Sequence, residues 1–431
     1  MKYIFQAQSQ NKGFAALITA IIVLSVSLII TLGFGTLAIN EIKITKNFTK
    51  SLKSYYVAEA GIEDILLRNS KNIKLPAVNP STLSLGEGTA IRDIGDIVAG
   101  TRDIISEGNI DDKIRKVRVV MTISTTGISF HYGAQVGDGG MIMENNSKIH
   151  GNVFSNANVI ASGKGYITDS IIVAGNGNRI EGLVVGDLTE NTGDATVHTC
   201  KDSDIGGTLI YVSDGINDNC NAGIETKTRP NDIDPLPLPI PDAQIDSWKN
   251  EASVNIFNGD YIVGGGEAES LGPIKIIGNL EIENNATLTV TGTIYVVQDI
   301  ITNNNTVVKL DAGYGATSGV IIADGVIDVK NGSTIQGSGI EGSYTMLLST
   351  NSSLDSANPA IDVGNNAEGA VFYTSNGLIS LRNNMKIREA TGYKLYLYNN
   401  AEIEYEVGLQ NISFSSGPSG SWKIADWKEI E

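Results

Sequence analysis

Residues 14 to 39, FAALITAIIVLSVSLIITLGFGTLAI, carry no charged side chain. A helix needs about 20 apolar residues to cross a bilayer, so this run is long enough to fix the chain to a membrane. The residues before it are polar, include Lys2 and Lys12, and end at Gly13-Phe14. A secretory signal peptide has a shorter apolar stretch and then a small-residue cleavage site; this stretch flows straight into more helix. Downstream, Ile44, Phe48, Leu52, Tyr55, Tyr56, Ile62, Ile65 and Leu66 recur every three or four residues, as one buried helical stripe does. The two segments read as one helix, apolar all round in its first half and amphipathic in its second. At 1.5 Å per residue it reaches roughly 75–80 Å. A plain anchor with a juxtamembrane helix is the other reading of the same periodicity.

The segment KGFAALITAIIVLSVSLII, followed by YYVAEAGIEDILL, resembles the N-terminus of type IV pilin-like proteins. Within that group it is most similar to the PilX-like branch of minor pilins and pilus assembly proteins. The resemblance covers about residues 10 to 68 and includes the AEAG phrase at Ala58 to Gly61. It implies a prepilin peptidase that cuts after Gly13 and leaves Phe14 as the mature N-terminus. It also implies other pilin-like subunits as partners, a cytoplasmic N-terminus and a large C-terminal part at the cell surface. Where major pilins have Glu at the fifth mature position, this chain has Ile18, which suits a minor or initiating subunit better than a bulk one. Charge alone sets no orientation, because Lys43, Lys46, Lys50 and Lys53 follow the span.

The rest of the chain does not read as a compact helical enzyme. It has 48 Gly, roughly forty Asn, 18% charged residues and a net charge of −17. Such acidity excludes a nucleic-acid partner, since phosphate contacts need Lys and Arg on one face. Cys200 and Cys220 flank a polar stretch. In an oxidising compartment they would form a disulfide stapling that loop, worth about 3 kcal/mol in the chain-entropy model. A metal site there lacks CxxC spacing and a neighbouring His.

One phrase returns along the C-terminal region, beginning at Asn145, Asn284, Asn304, Asn331, Asn365, Asn383 and Asn399. A small or apolar residue stands two later (Ser147, Ala286, Thr306, Ser333, Ala367, Met385, Ala401). A branched apolar one stands four later, with Gly369 the exception. Residues i, i+2 and i+4 of a strand share a face, so the first Asn and both followers are expected to point inward. The later intervals are 20, 27, 34, 18 and 16 residues. Most suit one coil of a parallel β-solenoid, and 34 has room for two. Coils stacked at about 4.8 Å would let inward Asn side chains bond along a ladder, which removes the cost of burying an amide. Hairpin turns in an antiparallel sandwich also use Asn pairs. Constant parity and few interrupting charges favour the solenoid.

The expected fold is therefore mainly β: a long N-terminal transmembrane, pilin-like helix, a small β collar and a parallel β-solenoid. The solenoid resembles bactofilin-like polymer-forming proteins and β-helical surface proteins, which implies a right-handed coil. The expected divisions are a leader peptide (1–13), the helix (14–68) and a collar with a hairpin at RDIISEG and KVRVVMTIS (69–130). A first solenoid part with the Cys200–Cys220 loop as an excursion follows (131–229), then a proline-rich strap (230–247) and a second solenoid part (248–431). Five prolines between Pro230 and Pro241 forbid a central strand. The strap would either run along the outside of the solenoid or act as a hinge between its parts. Trp422 and Trp427 are expected to cap the last coil.

No catalytic constellation is evident, and no cofactor motif. His131, His150 and His198 lack metal-site spacing. The acidic residues Asp202, Asp204, Asp214 and Asp218 read as a solvated loop. The leading expectation is a non-enzymatic, membrane-tethered surface protein, a minor pilin-like subunit presenting a solenoid for adhesion or filament assembly. Its ligand would be a surface carbohydrate or a protein. Two rivals stand beside it. One is a β-helix enzyme acting on polysaccharide, for which Arg382, Lys386 and Arg388 are the outward basic candidates. The other is a surface protein that polymerises end to end through its coils, unless Trp422 and Trp427 close one end.

Overall fold

The computed structural model describes residues 10–70, 75–76, 78–95, 101–123, 125–417 and 422–430. Most of the expected leader lies outside the described residues. Helix α1 (Gln10–Ser70) is unbroken. Its first half is exposed on every side, with Leu24, Ile29 and Phe34 open to the surroundings. It is long and apolar enough to cross a membrane and fits a single-pass anchor.

From Ser54 onward one face of α1 is buried. Ala58, Ile62 and Ile65 pack on Ile104, Val117, Val119 and Met121. The latter come from an antiparallel sheet of β1 (Ser81–Leu85), β2 (Gly88–Ile94), β3 (Thr101–Ile110) and β4 (Lys113–Ile123), each bonded to the next. The β3–β4 hairpin is the one expected from the sequence, and Asp111 and Asp112 take left-handed conformations in its turn. Helix and sheet nearly touch backbone to backbone here. A Cβ on Gly61 would lie 2.3 Å from Ser106 Oγ, and one on Gly108 would lie 2.0 Å from the Ser54 carbonyl oxygen. The close approach runs along α1 from Ser54 through the AEAG phrase.

The C-terminal strand Trp422–Ile430 pairs antiparallel with β4 and completes this collar. That corrects the expectation of a tryptophan cap on the solenoid: both tryptophans belong to a collar strand, and Trp427 packs on the cluster beneath α1. The physical reason is the long edge of β4, whose backbone groups would otherwise be unpaired.

From Ala134 to Arg229, and again from Ile256 to Glu404, the chain winds as a three-sided parallel solenoid forming a single 30-stranded sheet. One coil is Ile294–Val296, Ile300–Thr302 and Val307–Leu310. Each strand pairs in parallel with its counterpart one coil on: Ile294 opposite Ile321, Ile300 opposite Ile327, Val308 opposite Ile335. These inward aliphatic side chains are buried, each contributing about 1.5–3 kcal/mol. The 34-residue interval holds one coil, not two. Ile327–Val329 pairs directly with Ile361–Val363, and the surplus residues form loops outside the strands. Nor is the Cys200–Cys220 stretch an excursion. Thr199–Lys201 and Asn217–Asp218 are successive rungs, and the disulfide joins neighbouring coils.

The coils are not stacked in sequence order. The last coil of the second part lies on the first coil of the first part, with Leu395 opposite Met141 and Ile403 opposite Ile149. In space the solenoid begins at Ile256, runs to Glu404, continues at Ala134 and ends at Arg229. The strap must therefore return the chain along its length, and it does so on the outside. Asn156 bonds both the N–H and the carbonyl of Leu236, Gln135 Nε2 donates to the Pro237 carbonyl at 2.9 Å, and Tyr373 Oη donates to the Ile240 carbonyl at 2.9 Å. Proline has no N–H to satisfy, so only carbonyls need partners along much of this path. Helix α2 (Asp242–Ala252) then seats Ile245, Trp248 and Ala252 against Tyr295, Val320 and Phe414. Strand β5 (Thr125–Ile128) and the Ile412–Ser415 strand pair antiparallel and carry the chain from collar to solenoid and back.

Candidate functional site

Gly13 and Phe14, the residues of the expected processing site, sit within α1 and are exposed. Beyond the span, Lys50 pairs with Asp111 at 2.8 Å and Lys53 with Glu87 at 3.8 Å. Half of the post-span cations are thus spent on the collar.

The Asn phrase forms one corner of the solenoid, and its geometry differs from the expected inward ladder. The residues two and four later are buried as expected, Ser147 and Ile149 or Ala286 and Leu288 among them. The first Asn is not. Asn145, Asn284, Asn304, Asn331 and Asn383 are exposed, and Asn365 and Asn399 are half-buried. The cause is the second residue, which takes a left-handed conformation in every coil: Asn146, Asn285, Asn305, Gly332, Asn366, Asn384 and Asn400 have φ between 55° and 69°. A left-handed residue breaks strand alternation, so the first Asn leaves the face its followers share. Bonding between coils survives on the outside. Asn284 Oδ1 accepts from Asn304 N at 3.0 Å, and Asn331 Oδ1 accepts from Asn365 N at 2.9 Å.

Next to this corner, one face carries a column of alternating charge through four successive coils: Glu368, Lys386, Glu402, Lys148. Lys386 pairs with Glu404 at 2.5 Å, and Arg388 with Glu404 at 3.2 Å and Glu406 at 3.1 Å. The Lys386 ammonium beside Glu404 holds its carboxyl below the usual range. Tyr344 Oη donates to Glu406 at 2.6 Å, and burial together with that carboxylate raises its phenol. These groups line a cleft of about 590 Å³ walled by residues 337–343. Arg382, the third basic candidate, is clamped on Asp362 and lies over the Tyr398 ring at 4.7 Å. His150 stands opposite Glu404, and its ring approaches Glu402 and Glu404 within 4.8 Å. A metal cation there would compete with Lys148, Lys386 and Arg388, which already pair with those two carboxylates. Of the acidic loop, Asp202 accepts from Asn219, and Asp204 from Asn221 and Lys164.

Two features escaped the sequence reading. Asp324 gathers Lys249, Tyr295 Oη and Thr350 Oγ1, tying α2 to the solenoid. Glu389 is fully buried, bonded to Thr391 through one oxygen and, among the described residues, to nothing through the other. Neither has a local signal: Asp324 recruits a partner 75 residues away, and Glu389 occupies an outward strand position that distant segments cover.

No protein-family model matches the chain, and no curated protein does. Among solved structures, the competence-associated pilin ComZ from Thermus thermophilus is similar at 12% identity, covering 89% of this chain and 98% of that one, with a TM-score of 0.26.

Proposed function

We propose that this chain is a non-enzymatic, membrane-anchored subunit of the pilin-like kind, a minor or initiating one, whose helix is the assembly element and whose solenoid is the presented one. The observation that carries the reading is α1 itself. A single helix serves first as an exposed apolar span and then, without a break, as the packing core of the collar. Two strands of the chain tie that collar to the solenoid, as a display element would require. The prepilin peptidase and other pilin-like subunits enter as partners through the N-terminal resemblance, with the solenoid outside the cell.

The polysaccharide-enzyme reading finds less support. Lys386, Arg388 and Arg382 are all held in ion pairs, and Glu404 and Glu406 are the carboxylates that hold the first two. End-to-end polymerisation is disfavoured by polar groups at inward positions of both end coils. At one end Glu269 stands opposite the buried Leu288 and accepts from Tyr261 Oη at 2.8 Å; at the other, Thr226 stands opposite Leu209 and Asn217 opposite Cys200. Inward polar groups are a known guard against edge-to-edge growth.

The test is the mature N-terminus, read by mass spectrometry on native membrane and sheared surface fractions. A chain beginning at Phe14 and recovered in the sheared fraction is expected. An intact Met1 chain confined to the membrane would sink the pilin-like part of the proposal.

A further inference from the structure

The left-handed corner positions hold more than backbone sterics require. Their spatial order is Asn285, Asn305, Gly332, Asn366, Asn384, Asn400, Asn146, and backbone bonds run along them: Asn285 N to Asn304 O at 3.1 Å, Asn305 N to Asn331 O at 3.1 Å, Gly332 N to Asn365 O at 3.0 Å, Asn400 N to Asn145 O at 3.1 Å. A left-handed position is satisfied by Gly at least as well as by Asn. Toward the two ends of the solenoid the same corner takes Gly at Gly266 and Gly182, and Asp202 and Asn219 in the last two coils. Through the seven central coils Asn is kept in six. All six side chains are exposed. Among the described residues none of the six carboxamides makes a hydrogen bond, so both their donors and their acceptors are free.

The geometry points to this corner as a rail that binds an uncharged polysaccharide lying along the solenoid axis. Coils repeat at about 4.8 Å, a spacing comparable to the rise of one sugar unit in an extended chain, so successive amides meet successive sugar hydroxyls. Each hydroxyl both donates and accepts, as a free carboxamide does. The seven central positions carry no formal charge, the column beside them alternates in sign, and the chain's net charge is −17, which together select against acidic polymers. Where the two solenoid parts meet, the rail borders a depression of about 500 Å³ lined by Asn146, Asn400, Lys148, Glu402 and Tyr166. The inference rests on the proposed surface display and names the ligand class of the displayed element.

The test is co-sedimentation of the detergent-solubilised full chain with cellulose, chitin and cross-linked dextran, with alginate gel as the acidic comparison. The variant N146G/N305G/N384G/N400G keeps the left-handed backbone and removes four amides. The wild type is expected to bind at least one uncharged polymer, and the variant to bind it at least tenfold more weakly with an unchanged thermal midpoint. Binding to none of the three overturns the inference, as does binding that survives the substitutions or alginate binding of equal strength. A variant with a lowered midpoint is replaced by the single substitutions, each read by the same criterion. The assay needs neither processing nor assembly. Its failure would leave the pilin-like reading standing, and an unprocessed N-terminus would leave the rail standing.

Discussion

At the scale of single residues, Glu389 is the group whose environment departs most from what its chemistry prefers. It is fully buried on the strand Lys386–Leu397, with Thr391 Oγ1 as its one hydrogen-bond partner among the described residues. Burial pushes its carboxyl well above the usual range, because the charged form would be stranded without water. A charge on Glu389 would in turn raise the phenols of Tyr373 and Tyr405, and among the described residues no cation pairs with it. In the unfolded chain Glu389 loses its proton near pH 4.3, whereas the folded state retains it. Its effect on stability is therefore neutral below about pH 4, and stability is lost progressively as pH rises toward the raised folded value. Glu389→Gln is expected to raise the thermal midpoint at pH 7–8 and to match wild type near pH 4. A midpoint difference that does not change between those pH values would show that Glu389 is ionised in the fold. Residue-level pattern in the sequence was informative in part: the buried positions two and four after each Asn were legible from parity. The Asn itself was misplaced, because one left-handed residue per coil resets that parity.

Among the elements, the strap and α2 depend most on a few polar contacts. Apolar packing of Ile245, Trp248 and Ala252 holds the helix face, while Asp324 fixes its position through Lys249, Tyr295 and Thr350. Charge-assisted hydrogen bonds of this kind contribute about 1.5–3 kcal/mol each, reduced where they are partly exposed. Asp324→Ala should leave Lys249 and Tyr295 Oη without their acceptor and loosen α2 before it loosens the coils. Hydrogen exchange is expected to quicken in residues 233–252 while the strands Ile294–Val296 and Gly319–Ala323 stay protected. Uniform loss of protection would mean that α2 and the solenoid open as one unit. The existence of the strap was readable from its prolines, since a residue without an N–H cannot sit in a central strand. Its path was not, because the bonds that hold it come from Asn156, Gln135 and Tyr373, scattered over more than 200 residues. The collar's fifth strand was hidden for the same reason: pairing of Trp422–Ile430 with β4 spans most of the chain.

For the whole molecule, the order of coils in space is the property that sequence reading had least means to recover. Each coil carries the same local pattern, so nothing in Glu402–Glu404 distinguishes a neighbour at Lys148–His150 from one in a later segment. What selects that neighbour is the sum of the alternating charge column and the strap's reach. A solenoid's stability is close to a sum of coil and nearest-neighbour terms, so damage at one end should stay there. The Arg229 end is the sparser of the two. Its terminal strand Glu225–Arg229 is largely exposed and, among the described residues, pairs on one side alone, with Thr208–Val212. The Cys200–Cys220 disulfide closes the coil just inside it. Cross-linking a loop of this size restricts the open state by about 3 kcal/mol in the chain-entropy model. With both cysteines replaced by serine, exchange should quicken across residues 213–229 and across the start of the strap, which leaves from that coil. The coils from Ile256 to Glu404 should be unaffected, because apart from the strap they meet this end only through the whole length of the first part. Spread of the effect into those distant coils would show that the two solenoid parts unfold as a single cooperative body. The permuted stacking would then be what couples them.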